Sequence, residues 1–310
     1  MIVNHKPYVR PCVSIPSDGN EGNDWIASIS EMYAPLTSHL PLAGASAIVQ
    51  ARRGSEPRIA AALRADAPWM QPAIDRIAEQ APMQLWAGQP WLAVRPLLLV
   101  GPSGAGKTHF ARALGKLSGC GDAILSFAGV SNDAELAGNP RGFRHPLPCL
   151  PATAMLRTGT ANPVIVIDEI DKAAAGELGD PVATLLGLTE RSTARRYFDG
   201  CLAAEIDLSH IKWIMTANSI ARVPAPLLSR VDIVEVTGPG PEHAELVLAS
   251  LWLAVAHDLG LPLLALPHIE KPAEAMLLRL FRNTRSVRRL RRAIETLVAV
   301  SVRHTPQTIN

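Results

Sequence analysis

The chain has 310 residues, nearly half of them hydrophobic and about a fifth charged, with a formal net charge of +2. That is enough chain for one large or two modest domains, and the balance excludes a disordered polymer and favours no acidic, nucleic-acid or membrane partner by charge alone. Four cysteines stand without CxxC spacing, which argues against a zinc site or a disulfide framework and fits a reducing compartment.

The start, MIVNHKPYVRPC, lacks the apolar core of a signal peptide, so a cytoplasmic location is expected. Residues 1–70 are assigned to an N-terminal region of unknown role. Pro, Gly, Ser and Asn dominate up to about residue 55, which predicts irregular structure. From Glu56 the pattern turns helical, and APWMQPAIDRIAEQ repeats apolar residues at helical spacing.

Pro96 then introduces Leu97–Val100, a short apolar run read as a buried parallel strand covered on both faces. Further strands are predicted at Ile124–Phe127, Val164–Ile167, Ile211–Thr216 and Ile233–Val236. A helix is expected from near Asn132, with Glu135 closing a capping box. Strands alternating with helices predict an α/β core over residues 71–238, with a mostly parallel five-stranded sheet. Beyond Gly238 the sequence reads as helical, and residues 239–310 are assigned to a small all-α domain. Leu246–Ala256 is too short to span a bilayer and reads as a buried helix. In the last helix, Val287, Leu290, Ile294, Leu297 and Val298 share one face.

Two motifs carry chemistry. GPSGAGKT comprises Gly101, Pro102, Ser103, Gly104, Ala105, Gly106, Lys107 and Thr108, and it sits between a strand and a helix as a P-loop requires. Its glycines let backbone N–H groups curl around phosphate oxygens, and the helix N-terminus adds its positive dipole end. Lys107 supplies a charge to the terminal phosphates and Thr108 a hydroxyl to Mg²⁺. VIVIDEID brings Asp168 and Glu169 to the end of a strand, where ligands of open α/β sheets bind. Asp168 is the Mg²⁺ partner and Glu169 the general base for an attacking water. The expected ligands are ATP and Mg²⁺.

With these motifs the chain resembles the AAA+ ATPases. The resemblance implies that Asn218, in WIMTANS, is the sensor that orients the water. It implies that Arg230, in APLLSRVDIVEV, is an arginine finger for a neighbouring subunit. Arg288, in SVRRL, matches the sensor arginine of a helical lid, with Arg285 as its rival.

From about residue 95 to 300 the chain is similar to the ATPase module of Lon proteases, through SFAGVSNDAELAGNPRG, NPVIVIDEIDKAAAGELGDPVATLL and DLSHIKWIMTANSIARVPAPLLSR. Lon carries a Ser–Lys peptidase after the lid, and this sequence stops there, so no peptidase activity is expected of it. The resemblance also gives a role to GFRHPLP, otherwise a mere connector. Phe143 falls at the aromatic and Leu147 at the apolar position of a pore loop that grips protein substrate, while Arg144 and His145 depart from the Lon pattern.

The implied protein is an ATP-driven remodelling machine in a homo-oligomeric, hexameric ring, acting on protein and working with a separate protease or other effector. The alternative is an AAA+ ATPase acting on nucleic acid or loading factors onto it, suggested by the arginines of residues 285–292 with Arg144 and His145. Much of that run is the solvated side of an amphipathic helix, and no known nucleic-acid motif accompanies it.

Overall fold

Every strand predicted between residues 97 and 236 is found, and all five pair in one parallel sheet. The computed structural model describes residues 58–86, 93–129, 133–174, 176, 179–262, 266–267 and 269–304, with only the backbone of 81–86 and 303–304. The irregular region expected at the start, up to residue 57, lies outside the described residues.

Helices α1 (Arg58–Asp66) and α2 (Gln71–Trp86) flank a 3-10 turn at Pro68–Met70 and lead into strand β1 (Leu97–Val100). Then follow α3 (Lys107–Leu117), β2 (Asp122–Ser126), α4 (Ala134–Ala137), α5 (Leu150–Thr158), β3 (Val164–Asp168), α6 (Pro181–Thr189) and α7 (Arg191–Ala194). A hairpin of β4 (Tyr197–Asp199) and β5 (Ala204–Ile206) precedes β6 (Lys212–Ala217), α8 (Ala225–Leu228) and β7 (Asp232–Glu235). Three helices follow the sheet: α9 (Ala244–Asp258), α10 (Lys271–Thr284) and α11 (Val287–His304).

The sheet order is β2-β3-β6-β1-β7. Edge strands β2 (DAILS) and β7 (DIVE) keep exposed residues, but β1 and residues Val164–Ile167 of β3 read as unbroken apolar runs because alternate residues enter two different cores. Leu98, Ile165, Ile167, Trp213 and Met215 pack into one. Leu97, Leu99, Val164, Val166 and Ile214 pack into the other, with Ile59, Ala60 and Leu63 of α1 against them. Period-two burial on both faces is what a sheet between two helical layers demands. β1 lies between β6 and the outermost strand β7, so its C-terminal end opens inside the sheet and beside β6. Phosphate loops belong at that edge.

Some local expectations are corrected. β2 starts two residues earlier than predicted, at Asp122, because its backbone follows β3 in register from Asp122↔Val164 to Ser126↔Asp168. Phe127 lies just past its end, fully buried. Helix α4 is a single turn with Asp133 at its N-cap, and no side chain caps it. Asp133 instead accepts a hydrogen bond from Thr184 Oγ1 at 2.8 Å, so local capping gives way to a tertiary contact, and Asn132 lies outside the described residues. The β4–β5 hairpin was not foreseen.

The last three helices share a core built on Leu248, Phe281, Leu290, Ile294 and Val298. Each such buried side chain contributes about 1.5–3 kcal/mol. Helix α9 is only partly buried, contrary to expectation: Leu253 is 54% exposed. In α11, Leu290, Ile294 and Val298 are buried, while Val287 and Leu297 pack at the edge of the same cluster.

Candidate active site

The Gly101–Thr108 loop joins β1 to α3, with Gly106 at the helix N-cap in the left-handed conformation (φ 87°). A side chain on Gly101 would collide with the Val236 carbonyl, 2.1 Å from where its Cβ would sit. The loop therefore passes β7 at backbone contact, which only glycine permits.

Lys107 is buried at the start of α3, and its ammonium donates to three oxygens: Gly101 O at 2.7 Å, Pro102 O at 3.0 Å and Asn218 Oδ1 at 3.2 Å. Burial lowers its pKa. The charges of Asp168, Asp171 and Glu169 act in the opposite direction, and that of Arg288 reinforces the lowering. A buried cation among carboxylates is the electrostatic pattern of a functional site.

Thr108 Oγ1 donates to Asp168 Oδ1 at 3.0 Å, joining the phosphate loop to the end of β3. The next residue, Glu169, has left-handed backbone (φ 57°), unusual for a side chain of its size, and its carboxylate pairs with Lys172 Nζ at 2.7 Å. A hydroxyl beside a carboxylate supplies hard oxygen donors of the kind Mg²⁺ takes, and the loop and buried lysine suit a polyphosphate. The residues present thus fit ATP with Mg²⁺.

The fold brings together Lys107, Thr108, Asp168, Glu169 and Asn218 through direct contacts or chain neighbours, and Arg288 through its charge. Arg288 is exposed on the first turn of α11. Arg285 occupies the C-cap of α10 in the left-handed conformation. Arg230 follows α8 and pairs with Glu190, Nε to Oε2 3.5 Å.

Phe143 and Leu147 lie on a separate loop and are 63% and 48% exposed. Phe143 therefore does not fold back into the core. The base of this loop is fixed: Asn139 and Leu147 exchange both backbone hydrogen bonds, at 2.7 and 3.0 Å. Arg141 adds bonds from its guanidinium to the carbonyls of Cys201 and Leu202 in the β4–β5 turn.

Three site residues escaped the sequence reading. Trp69 donates from Nε1 to the Ala105 carbonyl at 2.9 Å and stacks at a tilt on His243, 5.3 Å between ring centroids. It thereby touches the phosphate loop and the segment entering α9. Asp171 is buried, accepts from the Asn218 amide at 3.2 Å through Oδ2, and among the described residues leaves Oδ1 without a hydrogen-bond partner. Thr216, buried in β6, donates to Asp168 Oδ1 and accepts from the Glu169 amide at 3.1 Å. A hydroxyl inside the apolar run KWIMTA was the available signal, since a buried polar group needs a partner.

Comparison with known proteins agrees with this geometry. Residues 97–238 match the family model described as "ATPase family associated with various cellular activities (AAA)". These residues form an AAA-family ATPase domain. Lon protease 2 of Myxococcus xanthus is 36% identical over 222 residues, covering 69% of this chain and 27% of the relative. The Lon protease of Methanosarcina barkeri is 37% identical over 142 residues, 46% of this chain and 18% of that protein. The Lon protease of Mesomycoplasma hyopneumoniae is 34% identical over 202 residues, 65% of this chain and 23% of its own. The chain thus spans about a quarter or less of the length of these relatives, and the reading of it as a Lon-type ATPase module fits. A closed-state cryo-EM reconstruction of Hsp104 with ATPγS and FITC-casein matches 82% of this chain and 48% of its own, with TM-score 0.59 and 15% identity. At that identity the likeness speaks for the fold alone. Among the described residues, no helix is long and apolar enough to cross a membrane.

Proposed function

We propose that this chain is an ATP-hydrolysing, protein-remodelling module of the Lon type, made of an ATPase core over residues 71–238 and a helical lid over 239–310, with α1 and Trp69 of the first 70 residues packed against that core. The observation that carries the reading is one connected cluster. Lys107 meets Asn218, Thr108 meets Asp168, and Asp168 precedes Glu169.

In this reading the backbone of Gly101–Thr108 cradles the phosphates of ATP, and Lys107 exchanges part of its internal hydrogen bonding for the β- and γ-phosphate oxygens. Thr108 and Asp168 would hold Mg²⁺, which would supply charge neutralisation to the phosphates. Asn218 orients the attacking water, and Glu169 takes its proton. Arg288 brings positive charge from the lid. Arg230 acts in trans on the next subunit of a homo-oligomeric, hexameric ring, which fits its place outside the cluster of its own chain. Phe143 and Leu147 grip an extended protein substrate. A flat ring on a fixed loop packs on any backbone, so the grip is tolerant of sequence. The cytoplasm and a separate protease or effector complete the proposal.

The arginines of the last helix give less support to nucleic-acid binding. Arg291 pairs with both Asp258 and Glu295, and Arg288 acts on Lys107, while Arg282 of the preceding helix α10 pairs with Glu245.

The test is steady-state ATP hydrolysis by the purified chain, with size measured by light scattering in ATP. Magnesium-dependent turnover and a nucleotide-dependent assembly are expected. A chain that binds ATP without hydrolysing it, as a monomer, would contradict the reading.

A further inference from the structure

We infer that Thr216 is a positioning residue for both carboxylates of the ATP site, setting the geometry of Asp168 and Glu169 through one hydroxyl. The inference rests on the proposed ATPase reading.

The hydroxyl sits near the end of β6, one strand over from β3, and is 1% exposed. It makes two bonds of opposite sense. It donates to Asp168 Oδ1, the same oxygen that Thr108 engages. It accepts from the backbone amide of Glu169. Two hydroxyls converging on one carboxylate oxygen fix the rotamer of Asp168 and leave Oδ2 outside this pair of contacts. The bond from the Glu169 amide falls where the chain turns left-handed, at φ 57°. A glutamate holds that conformation only when its surroundings compel it. Thr216 is one such constraint, acting on the backbone from which the Glu169 carboxylate projects.

Chemistry then separates the two functions of the site. Phosphate binding belongs to the Gly101–Thr108 loop and Lys107, whereas the two bonds of the Thr216 hydroxyl go to Asp168 and Glu169. Water activation depends on where Glu169 points, and an error of about 1 Å there costs on the order of 100-fold in rate. Thr216 therefore acts on turnover and scarcely on nucleotide affinity.

The experiment compares Thr216→Val, which keeps the branched shape and removes the hydroxyl, with Thr216→Ser, which keeps the hydroxyl and removes the methyl. Expected for Thr216→Val is a kcat lower by about 10- to 100-fold, with the dissociation constant of a fluorescent ATP analogue within about threefold of wild type. Thr216→Ser should recover most of the turnover. Equal kcat in wild type and Thr216→Val, or equal loss in both variants, overturns the inference; the second pattern would assign Thr216 to packing. Crystal structures of both variants read the geometry without reference to turnover. Glu169 should leave the left-handed region in Thr216→Val and keep it in Thr216→Ser. Retention of the Glu169 backbone and Asp168 rotamer in Thr216→Val also overturns the inference. A wild-type chain that hydrolyses no ATP would sink the ATPase reading instead, and the crystallographic comparison would still judge Thr216.

Discussion

Two loops, the phosphate loop after β1 and the Asn139–Leu147 loop between α4 and α5, are built on opposite plans. In the phosphate loop and its partners, polar groups converge: Lys107 has three oxygens around it, and Asp168 accepts from two hydroxyls. In the Asn139–Leu147 loop only the base is bonded inward, and Phe143 and Leu147 stand in solvent. Convergent polar groups in a fixed frame suit chemistry, which needs preorganisation. Exposed apolar groups on a fixed base suit contact, which needs area without selectivity. If that contrast is right, substitutions in the first region should change turnover and those in the second should change substrate response.

The largest effect is expected at Arg230. Arg230→Ala should lower ATP turnover by about 10³-fold or more, as loss of an arginine finger does, while nucleotide binding measured by titration stays intact. Mixing it with a Lys107→Met chain should restore part of the activity, because one partner then supplies a finger and the other a binding site. Absence of any recovery would argue against action in trans. Next comes Glu169→Gln, which should reduce turnover by about 10²–10⁴-fold and retain ATP. A pull-down with this variant in ATP should keep protein substrate attached.

At the second loop, Phe143→Ala should leave unstimulated hydrolysis unchanged. It should weaken the response to an unfolded protein by roughly 10- to 100-fold in half-saturating concentration, the equivalent of about 1.5–3 kcal/mol of lost aromatic burial. A fall in basal hydrolysis instead would show that the two plans are not separate.

The smallest effect concerns His109, in the helix that follows the phosphate loop. Its pKa is raised, chiefly by the hydrogen bond to Asp66 and against the effect of burial. The Asp66 contact therefore stabilises the protonated ring. Its contribution is complete below the ordinary value of 6.5 and fades as pH rises through the higher folded value. The melting-temperature gap between wild type and His109→Gln should thus be wider near pH 5.5 than near pH 8.5. It should correspond to less than ~1 kcal/mol, because the pair is half exposed.

The sheet was legible because its physics is local. A strand buried on both faces is mostly apolar, and Val164–Ile167 and Leu97–Val100 are apolar throughout. The phosphate loop and acidic pair were legible because their chemistry restricts residue types at fixed spacing. The β4–β5 hairpin escaped because each strand has three residues and one exposed face, including Phe198 opposite Glu205, so no periodicity could develop. Trp69 and Asp171 escaped for a different reason: their roles depend on partners far along the chain, Ala105 and Asn218. Thr216 lay between these cases, conspicuous as a hydroxyl in an apolar strand yet without meaning until Asp168 and Glu169 came alongside.

The account stands most directly on whether hydrolysis is coupled to work on a protein. The purified chain should be given ATP and a folded fluorescent reporter bearing an unstructured tail, and the fluorescence followed. Loss of signal that requires ATP, and that both Glu169→Gln and Phe143→Ala abolish, is the predicted result. Full ATP turnover with the reporter untouched, and no response of that turnover to unfolded protein, would contradict it.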